Sequence, residues 1–295
     1  MVKKEGRLLQ GIGGFYYVET ENGVVECKAR GAFRKTGESP IAGDLVTIAV
    51  SEDGKGIVES IATRKNKLIR PPVANLDCLV MVCSIKDPEP NLPVLDKMIA
   101  IAEHKDIEPI LVFNKTDLAS ADALLNLYRS AGFSALAVSA ETGEGIEELR
   151  SLLCGKIAAF SGNSGVGKSS ILNRLDSRLG LETAEISAVL GRGKHTTRSS
   201  VLYRQEGGGY FVDTPGFSSL DMERLEWIHK DDLPYCFREF TPFLGACKFT
   251  SCRHLKEAGC AVLRAVEDGR IASSRWETYK AMAEEAMSRA DWEIR

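Results

Sequence analysis

No apolar run in this chain of 295 residues is long enough to cross a bilayer, so no membrane-spanning helix is expected. The opening stretch MVKKEGRLLQ has lysines but no apolar core and does not fit a secretory signal, which makes the cytoplasm the expected location. Without an export signal, the 8 cysteines do not read as a disulfide framework; free thiols, metal ligands or a mixture are expected. There is no internal repeat and no low-complexity tract. A net basic charge is missing too: the net charge is −3 and the pI about 5.9, which by itself disfavours a nucleic-acid partner. The charge is unevenly spread. Residues 1–70 hold 12 Lys and Arg against 9 Asp and Glu, a balance of +3, so the remainder carries −6. A local basic face is compatible with that total. What is present is ordinary for a globular chain, 44% hydrophobic and 27% charged, at a length that suggests two or three domains.

The first part, residues 1–70, reads as β. GGFYYVET and GVVECKARG are separated by the turn signal ENG, and GDLVTIAV and GKGIVESI follow. Four or five strands in so short a segment suggest a small barrel of the OB type. RKNKLIRPPVAN, Arg64 to Asn75, reads as a linker. Beyond it the pattern changes to near-continuous apolar runs (DCLVMVCSI, EPILVFNKTDL, SALAVSA, KIAAFSG) alternating with helical spacing, as in a parallel sheet with helices on both faces. SVLYRQEGGGYFVDTPG reads as a hairpin around a Gly run. From residue 221 onward the strand signal ends, and DMERLEWIHKDDLPYCFREF and the C-terminal stretch from SRWETYK onward read as helical. The expected fold class is multidomain: an OB-type barrel over 1–70, a central α/β phosphate-loop domain over 71–220, and a helical metal-binding tail over 221–295.

Gly162-Asn163-Ser164-Gly165-Val166-Gly167-Lys168-Ser169, followed by Ser170, fits G-x-x-x-x-G-K-[ST] between an apolar strand and the helix former SSILNRL. Glycines let backbone N–H groups turn inward to phosphate oxygens, Lys168 supplies a point charge for the β- and γ-phosphates, and the Ser169 hydroxyl suits Mg²⁺. A plain Gly-rich turn is the alternative, and the strand-loop-helix context disfavours it.

Asn114-Lys115-Thr116-Asp117 stands at the end of another apolar strand, where open α/β sheets bind ligands. Guanine offers N1–H and an exocyclic amine side by side; one carboxylate, that of Asp117, accepts both and so selects against adenine. Asn114 is placed to bond the ring edge and to brace the phosphate loop, and Lys115 to lay its stem over the base. Ser139-Ala140, in VSAETGEG, follows a further strand and offers a backbone N–H to guanine O6. N-K-x-D alone is a common polar turn; with Ser139-Ala140 and the phosphate loop it points to GTP and GDP.

Asp213-Thr214-Pro215-Gly216 follows the strand GYFV, so Asp213 can hold Mg²⁺ through water and the Gly216 N–H can meet the γ-phosphate. In between lies GRGKHTTRSS, in which Thr196 or Thr197 completes the Mg²⁺ shell. Arg192, Lys194 and Arg198 meet phosphate of nucleotide or RNA, or are a solvated loop. Phe217 occupies the position where Ras-like GTPases have a water-orienting Gln, and Phe cannot orient water. His195 is the nearest substitute in sequence; an exposed loop histidine without a role is the alternative.

Cys247-x₄-Cys252-x-His254-x₅-Cys260 gathers three thiolates and an imidazole, a set suited to one closed, structural Zn²⁺. The helical segments around it are expected to bury little core, so that metal binding supplies much of the local folding. Cys27, Cys78, Cys83, Cys154 and Cys236 are left as core thiols.

The guanine elements thus precede the phosphate loop, the reverse of the usual order, and a domain with exchanged halves explains this if the ancestral termini were close together. FNKTDL, VSAETGEG, SGNSGVGKSS, GRGKHTT, DTPGF and the Cys/His spacing together closely resemble the RsgA (YjeQ) family of circularly permuted bacterial GTPases, over nearly the whole chain. The resemblance implies a role late in 30S ribosomal subunit assembly, contact with 16S rRNA, hydrolysis of GTP stimulated by the small subunit, and a hydrolysis-assisting role for His195. A monomer without membrane attachment is expected. The alternatives are an RNA-binding module with a relict GTP site, disfavoured by an intact Lys168, Ser169 and Asp213; a permuted GTPase of the large subunit, whose families lack this barrel and tail; and a metabolic ATPase, disfavoured by Asp117.

Overall fold

The computed structural model describes residues 1–31, 33, 38–69, 71–179, 200–213 and 227–288. They fall into two compact units. The first holds Met1–Leu79, Glu147–Ser161 and the described part of Lys168–Phe217; the second holds Val80–Ile146, Gly162–Gly167 and the described part of Ser218–Arg295.

In the first unit β1 (Val2–Ile12), β2 (Phe15–Thr20), β3 (Gly23–Ala29), β4 (Leu45–Val50) and β5 (Gly56–Ile61) close into a barrel in the order β1-β2-β3-β5-β4. β1 is antiparallel to β4 and β3 parallel to β5, the pairing that closes an OB-type barrel. Period-2 patterning sends Val18, Cys27, Val46, Ile48 and Val58 to the interior, with Tyr16 and Val25 packed on them. Residues 2–12, unassigned from the sequence, form the longest barrel strand. Only Leu8 of this strand is fully buried, so no alternation announces it. On β2, Glu19 accepts hydrogen bonds from Arg204 (3.1 Å) and from the Tyr210 hydroxyl, tying barrel to hairpin.

The stretch expected to be a linker is structured. β6 (Lys67–Leu68) pairs with β7 (Val73–Ala74), and Pro71-Pro72 sit in the turn between them. The Asn66 amide both donates to and accepts from the backbone of Leu76, each at 2.9 Å. Arg64 forks onto buried Asp44 at 2.7 and 2.8 Å. Proline and basic residues mark a turn here; the buried Leu68 and Val73 on either side were the contrary signal.

A six-stranded sheet has the order β10-β9-β8-β11-β13-β12, with β8 Cys78–Ser84, β9 Glu108–Asn114, β10 Ser134–Val138, β11 Ile157–Ser161, β12 Val201–Arg204 and β13 Tyr210–Asp213. β9 and β10 are parallel, as are β11 and β13, while β12 and β13 form the expected antiparallel hairpin. β8, β9 and β11 are buried along nearly their whole length, which is why they read as unbroken apolar runs. The helices are α1 (Leu92–His104), α2 (Asp122–Ser130), α3 (Ile146–Leu153) and α4 (Lys168–Leu175). Asn91 caps α1 by accepting the Val94 N–H at 3.2 Å. Among the described residues no helix is long and apolar enough to cross a membrane.

The C-terminal part contains α5 (Ala261–Glu267) and α6 (Ser273–Ser288). Of the helix expected over 221–240, residues 221–226 lie outside the described residues; the described part carries short 3₁₀ turns, Leu233–Cys236 and Arg238–Phe243. Pro234 and Pro242 lack the N–H that a longer α-helix needs. The expectation of a tail with little core is corrected as well. Phe237, Phe240, Val262, Ile271 and Tyr279 are all buried, and Tyr279 meets both phenylalanines edge-on, at 5.3 and 4.8 Å.

Candidate functional site

The second unit joins the predicted guanine reader to the phosphate loop through one side chain. Asn114, the last residue of β9, is 1% exposed. Its Nδ2 donates to the Val166 carbonyl at 2.8 Å and its Oδ1 accepts from the Ala140 N–H at 3.0 Å. The amide thus bonds protein at both ends, the phosphate loop on one side and the 139–140 loop on the other. Gly162 and Gly167 are required at their places. A Cβ on Gly162 would lie 2.3 Å from the Val82 carbonyl, and one on Gly167 2.2 Å from Asn114 Nδ2; both residues have positive φ. Gly165 has φ +82 as well. Asn163 and Ser164 lie on the exposed part of the loop.

Asp117 is exposed, and its Oδ1 accepts from the Ser139 hydroxyl at 2.6 Å, which fixes the rotation of the carboxylate. Ser139 is buried, and its hydroxyl also accepts the Thr142 N–H at 3.1 Å. Lys115 has φ +69 and donates its ammonium to the Asp87 carbonyl. The Thr116 Oγ1 is buried and has no hydrogen-bond partner among the described residues. Nothing in the sequence marked Asp87 or Thr142.

α4 begins at Lys168, directly after the loop, with Ser169 buried in its first turn and Ser170 beside it. Burial pushes the Lys168 ammonium down to about 8. The backbone of Asp213 ends β13; its side chain, and His195, Thr196, Thr197, Gly216 and Phe217, lie outside the described residues.

The second cluster is Cys247, Cys252, His254 and Cys260, whose ligand atoms all lie within 4.8 Å of one another. The His254 Nδ1 is 3.6 Å from Cys247 Sγ and 3.4 Å from Cys260 Sγ, and the two sulfurs are 3.9 Å apart. A tetrahedral Zn²⁺ with usual bond lengths sets N···S near about 3.6 Å and S···S near about 3.8 Å. The residues present thus fit that ion. Burial pushes the Cys252 thiol up to about 12, so three thiolates need a cation among them. Backbone N–H groups of Ala261 and Leu263 reach the sulfurs of Cys247 and Cys260 at 3.3 and 3.4 Å, as suits thiolates. Of the cysteines set aside as core thiols, Cys27, Cys78 and Cys236 are buried and Cys83 is half-buried. Cys154 is not in the core: it is exposed just past α3, its thiol donating to the Gly207 carbonyl at 3.0 Å.

With this geometry in place, comparison with known proteins is informative. The RsgA GTPase family matches residues 61–223 and the RsgA N-terminal domain matches residues 5–58. A protein of Caldanaerobacter subterraneus subsp. tengcongensis named small ribosomal subunit biogenesis GTPase RsgA is 46% identical over 288 residues, covering 97% of this chain and 96% of the relative. One of the same name from Moorella thermoacetica is 43% identical over 287 residues, covering 97% and 98%. Among solved structures, YjeQ from Thermotoga maritima superposes with a TM-score of 0.82 at 36% identity, covering 98% of this chain and 100% of that one. YloQ, described as a circularly permuted GTPase, gives 0.82 at 32% identity, covering 98% and 96%.

Proposed function

The chain belongs to the RsgA family of circularly permuted GTPases, enzymes of small ribosomal subunit biogenesis, and on that premise we propose that it binds the 30S subunit and 16S rRNA and hydrolyses GTP late in subunit maturation. The observation that carries the nucleotide reading is the double bond of Asn114. The guanine element holds the phosphate loop by its Val166 carbonyl and the 139–140 loop by the Ala140 N–H. An OB-type barrel within a segment of charge +3 supports RNA as the partner of residues 1–70. The cytoplasm, a monomeric state and domain limits near residues 70 and 220 belong to the same proposal.

Each residue then has a task. Asp117, its rotation set by Ser139, accepts the guanine N1–H and exocyclic amine. Lys115 covers the base, Thr116 supports that turn, and the 139–140 loop faces O6. The N–H groups of 162–167 and the Lys168 ammonium hold the phosphates. Ser169, Thr196 or Thr197, and Asp213 through water would hold Mg²⁺, which supplies neutralising charge on the β- and γ-phosphates. The Gly216 N–H meets the γ-phosphate, and His195 orients the water that attacks phosphorus as the bond to the β-phosphate oxygen breaks, giving GDP and phosphate. Cys247, Cys252, His254 and Cys260 hold one structural Zn²⁺.

The test is GTP turnover by purified protein with and without 30S or 50S subunits, beside Asp117→Asn. Strong stimulation by 30S alone is expected. The variant should lose GTP and gain xanthosine triphosphate, whose 2-oxo group matches an amide donor. Stimulation by 50S instead, or RNA binding with no turnover at all, would refute the proposal.

A further inference from the structure

The backbone at His254 has φ +59, a left-handed conformation unfavourable for a residue with a side chain. Something must hold it, and the surroundings account for the turn atom by atom. The Glu257 carboxylate accepts the Arg253 N–H on Oε1 at 2.7 Å, and the N–H groups of Leu255 and Lys256 on Oε2 at 2.9 and 3.0 Å. On the other side, two residues of α6 hold the carbonyls: the Trp276 indole donates to His254 O at 2.9 Å and the Tyr279 hydroxyl to Arg253 O at 2.7 Å. Trp276 and Tyr279 are three residues apart on one helix, so they present a single face to the turn. The imidazole that results is the one whose Nδ1 meets the sulfurs of Cys247 and Cys260.

Glu257 is not among the clustered ligand atoms. Its two oxygens serve three N–H groups, which gather only if the chain folds back around His254. A side chain used in this way sets the position of a ligand rather than being one. We propose that Glu257 is the positioning residue of the metal site: it fixes the left-handed turn that aims His254 at the three thiolates, with Trp276 holding the carbonyl side. The inference rests on reading the Cys₃His set as a zinc site, and it adds a residue whose loss weakens metal binding without removing a ligand.

The experiment is zinc affinity by competition with a chromophoric chelator, on the full chain, for the native sequence, Glu257→Gln, Trp276→Phe and the exposed control Glu284→Gln. Thermal melts are run in saturating zinc and in chelator. Gln keeps the size of Glu257 but replaces one acceptor oxygen with an amide NH₂, a donor. Glu257→Gln should bind zinc about 10–100-fold more weakly and Trp276→Phe should also lose affinity. Glu284→Gln should match the native chain throughout, and Glu257→Gln should melt with it in chelator and below it in zinc. Cobalt(II) in place of zinc should give the native chain tetrahedral d–d absorption, and Glu257→Gln should reach the same spectrum only at higher metal. Glu257→Gln with native affinity overturns the proposal. So does a melt lowered equally with and without zinc, which would make Glu257 a general structural residue. A native chain that takes up no zinc overturns instead the metal reading on which the proposal stands.

Discussion

Asn114 shows how one buried side chain can carry a site. Its amide reaches Ala140, 26 residues on, and Val166, 52 residues on; the bond to the Val166 carbonyl is buried and the one from the Ala140 N–H half-buried. Asn114→Ala should therefore destabilise the second unit by about 1–3 kcal/mol, the cost of leaving buried polar groups unpaired. It should also weaken GDP binding at least tenfold, since the phosphate loop and the 139–140 loop lose their common brace. Urea titration and calorimetry check the two effects separately; a variant that loses stability but binds GDP as before would show that the brace is not part of the site. The residue types were legible in advance because N-K-x-D, Ser139-Ala140 and the phosphate loop are each compact motifs. The partners were not, since nothing local ties Asn114 to Val166. The same holds for Lys115 and the Asp87 carbonyl, a backbone atom that carries no signature in the sequence. Cys154 failed for the opposite reason: an apolar thiol at the end of a helix reads as core, but here the chain has already turned outward.

At the scale of elements, α6 is held by an ionic group that no periodicity shows. Arg275 is 1% exposed and donates to Asp96 of α1 at 2.8 Å and to Glu239 at 2.6 Å. The Tyr128 hydroxyl of α2 also donates to Asp96, at 2.9 Å, and the guanidinium lies over the rings of Phe237 and Phe133 at 4.8 and 5.3 Å. Burial raises the carboxyl of Asp96 even with this cation beside it, the mark of an ion pair whose desolvation is heavy. Arg275→Met should destabilise the second unit by about 3–5 kcal/mol, because two buried carboxylates lose their countercharge. Adding Asp96→Leu and Glu239→Leu should restore most of that loss. Denaturant midpoints of the single and triple variants decide it; a triple variant no better than the single one would mean the network is needed for shape rather than charge balance. Sequence reading found α6 and α1 as helices but not their junction, since Asp96 and Arg275 are 179 residues apart. In the described part of the helix expected over 221–240, Pro234 and the 3₁₀ turns that begin at Leu233 and Arg238 show local backbone chemistry prevailing over the helical reading.

At the scale of the whole molecule, the reversed order of motifs is no obstacle to a working nucleotide site, because each motif is a strand-end device. Asn114 ends β9, Ser139 follows β10, Gly162 follows β11 and Asp213 ends β13. Which strand comes first along the chain does not matter to a ligand bound at strand ends, and this is why the permutation was legible from spacing and flanking strands alone. It also predicts how the ligand affects stability. Residues 114–117, 139–140 and 162–167 belong to one compact unit but to three separate stretches of chain. A guanine nucleotide touching all three binds the folded unit and has nothing comparable to bind once the unit unfolds. GDP at about 100 times its dissociation constant should then add about 2.7 kcal/mol. For a unit of this size that raises the melting midpoint by roughly 5–10 °C. ADP at equal concentration should leave the midpoint where it was, because Asp117 has no N1–H to accept from adenine. Melting the chain against a GDP series, an ADP series and no nucleotide separates the cases. A shift of equal size from both nucleotides would mean that the phosphates alone are being read. No shift from either would mean that the loop braced by Asn114 does not hold nucleotide in this chain.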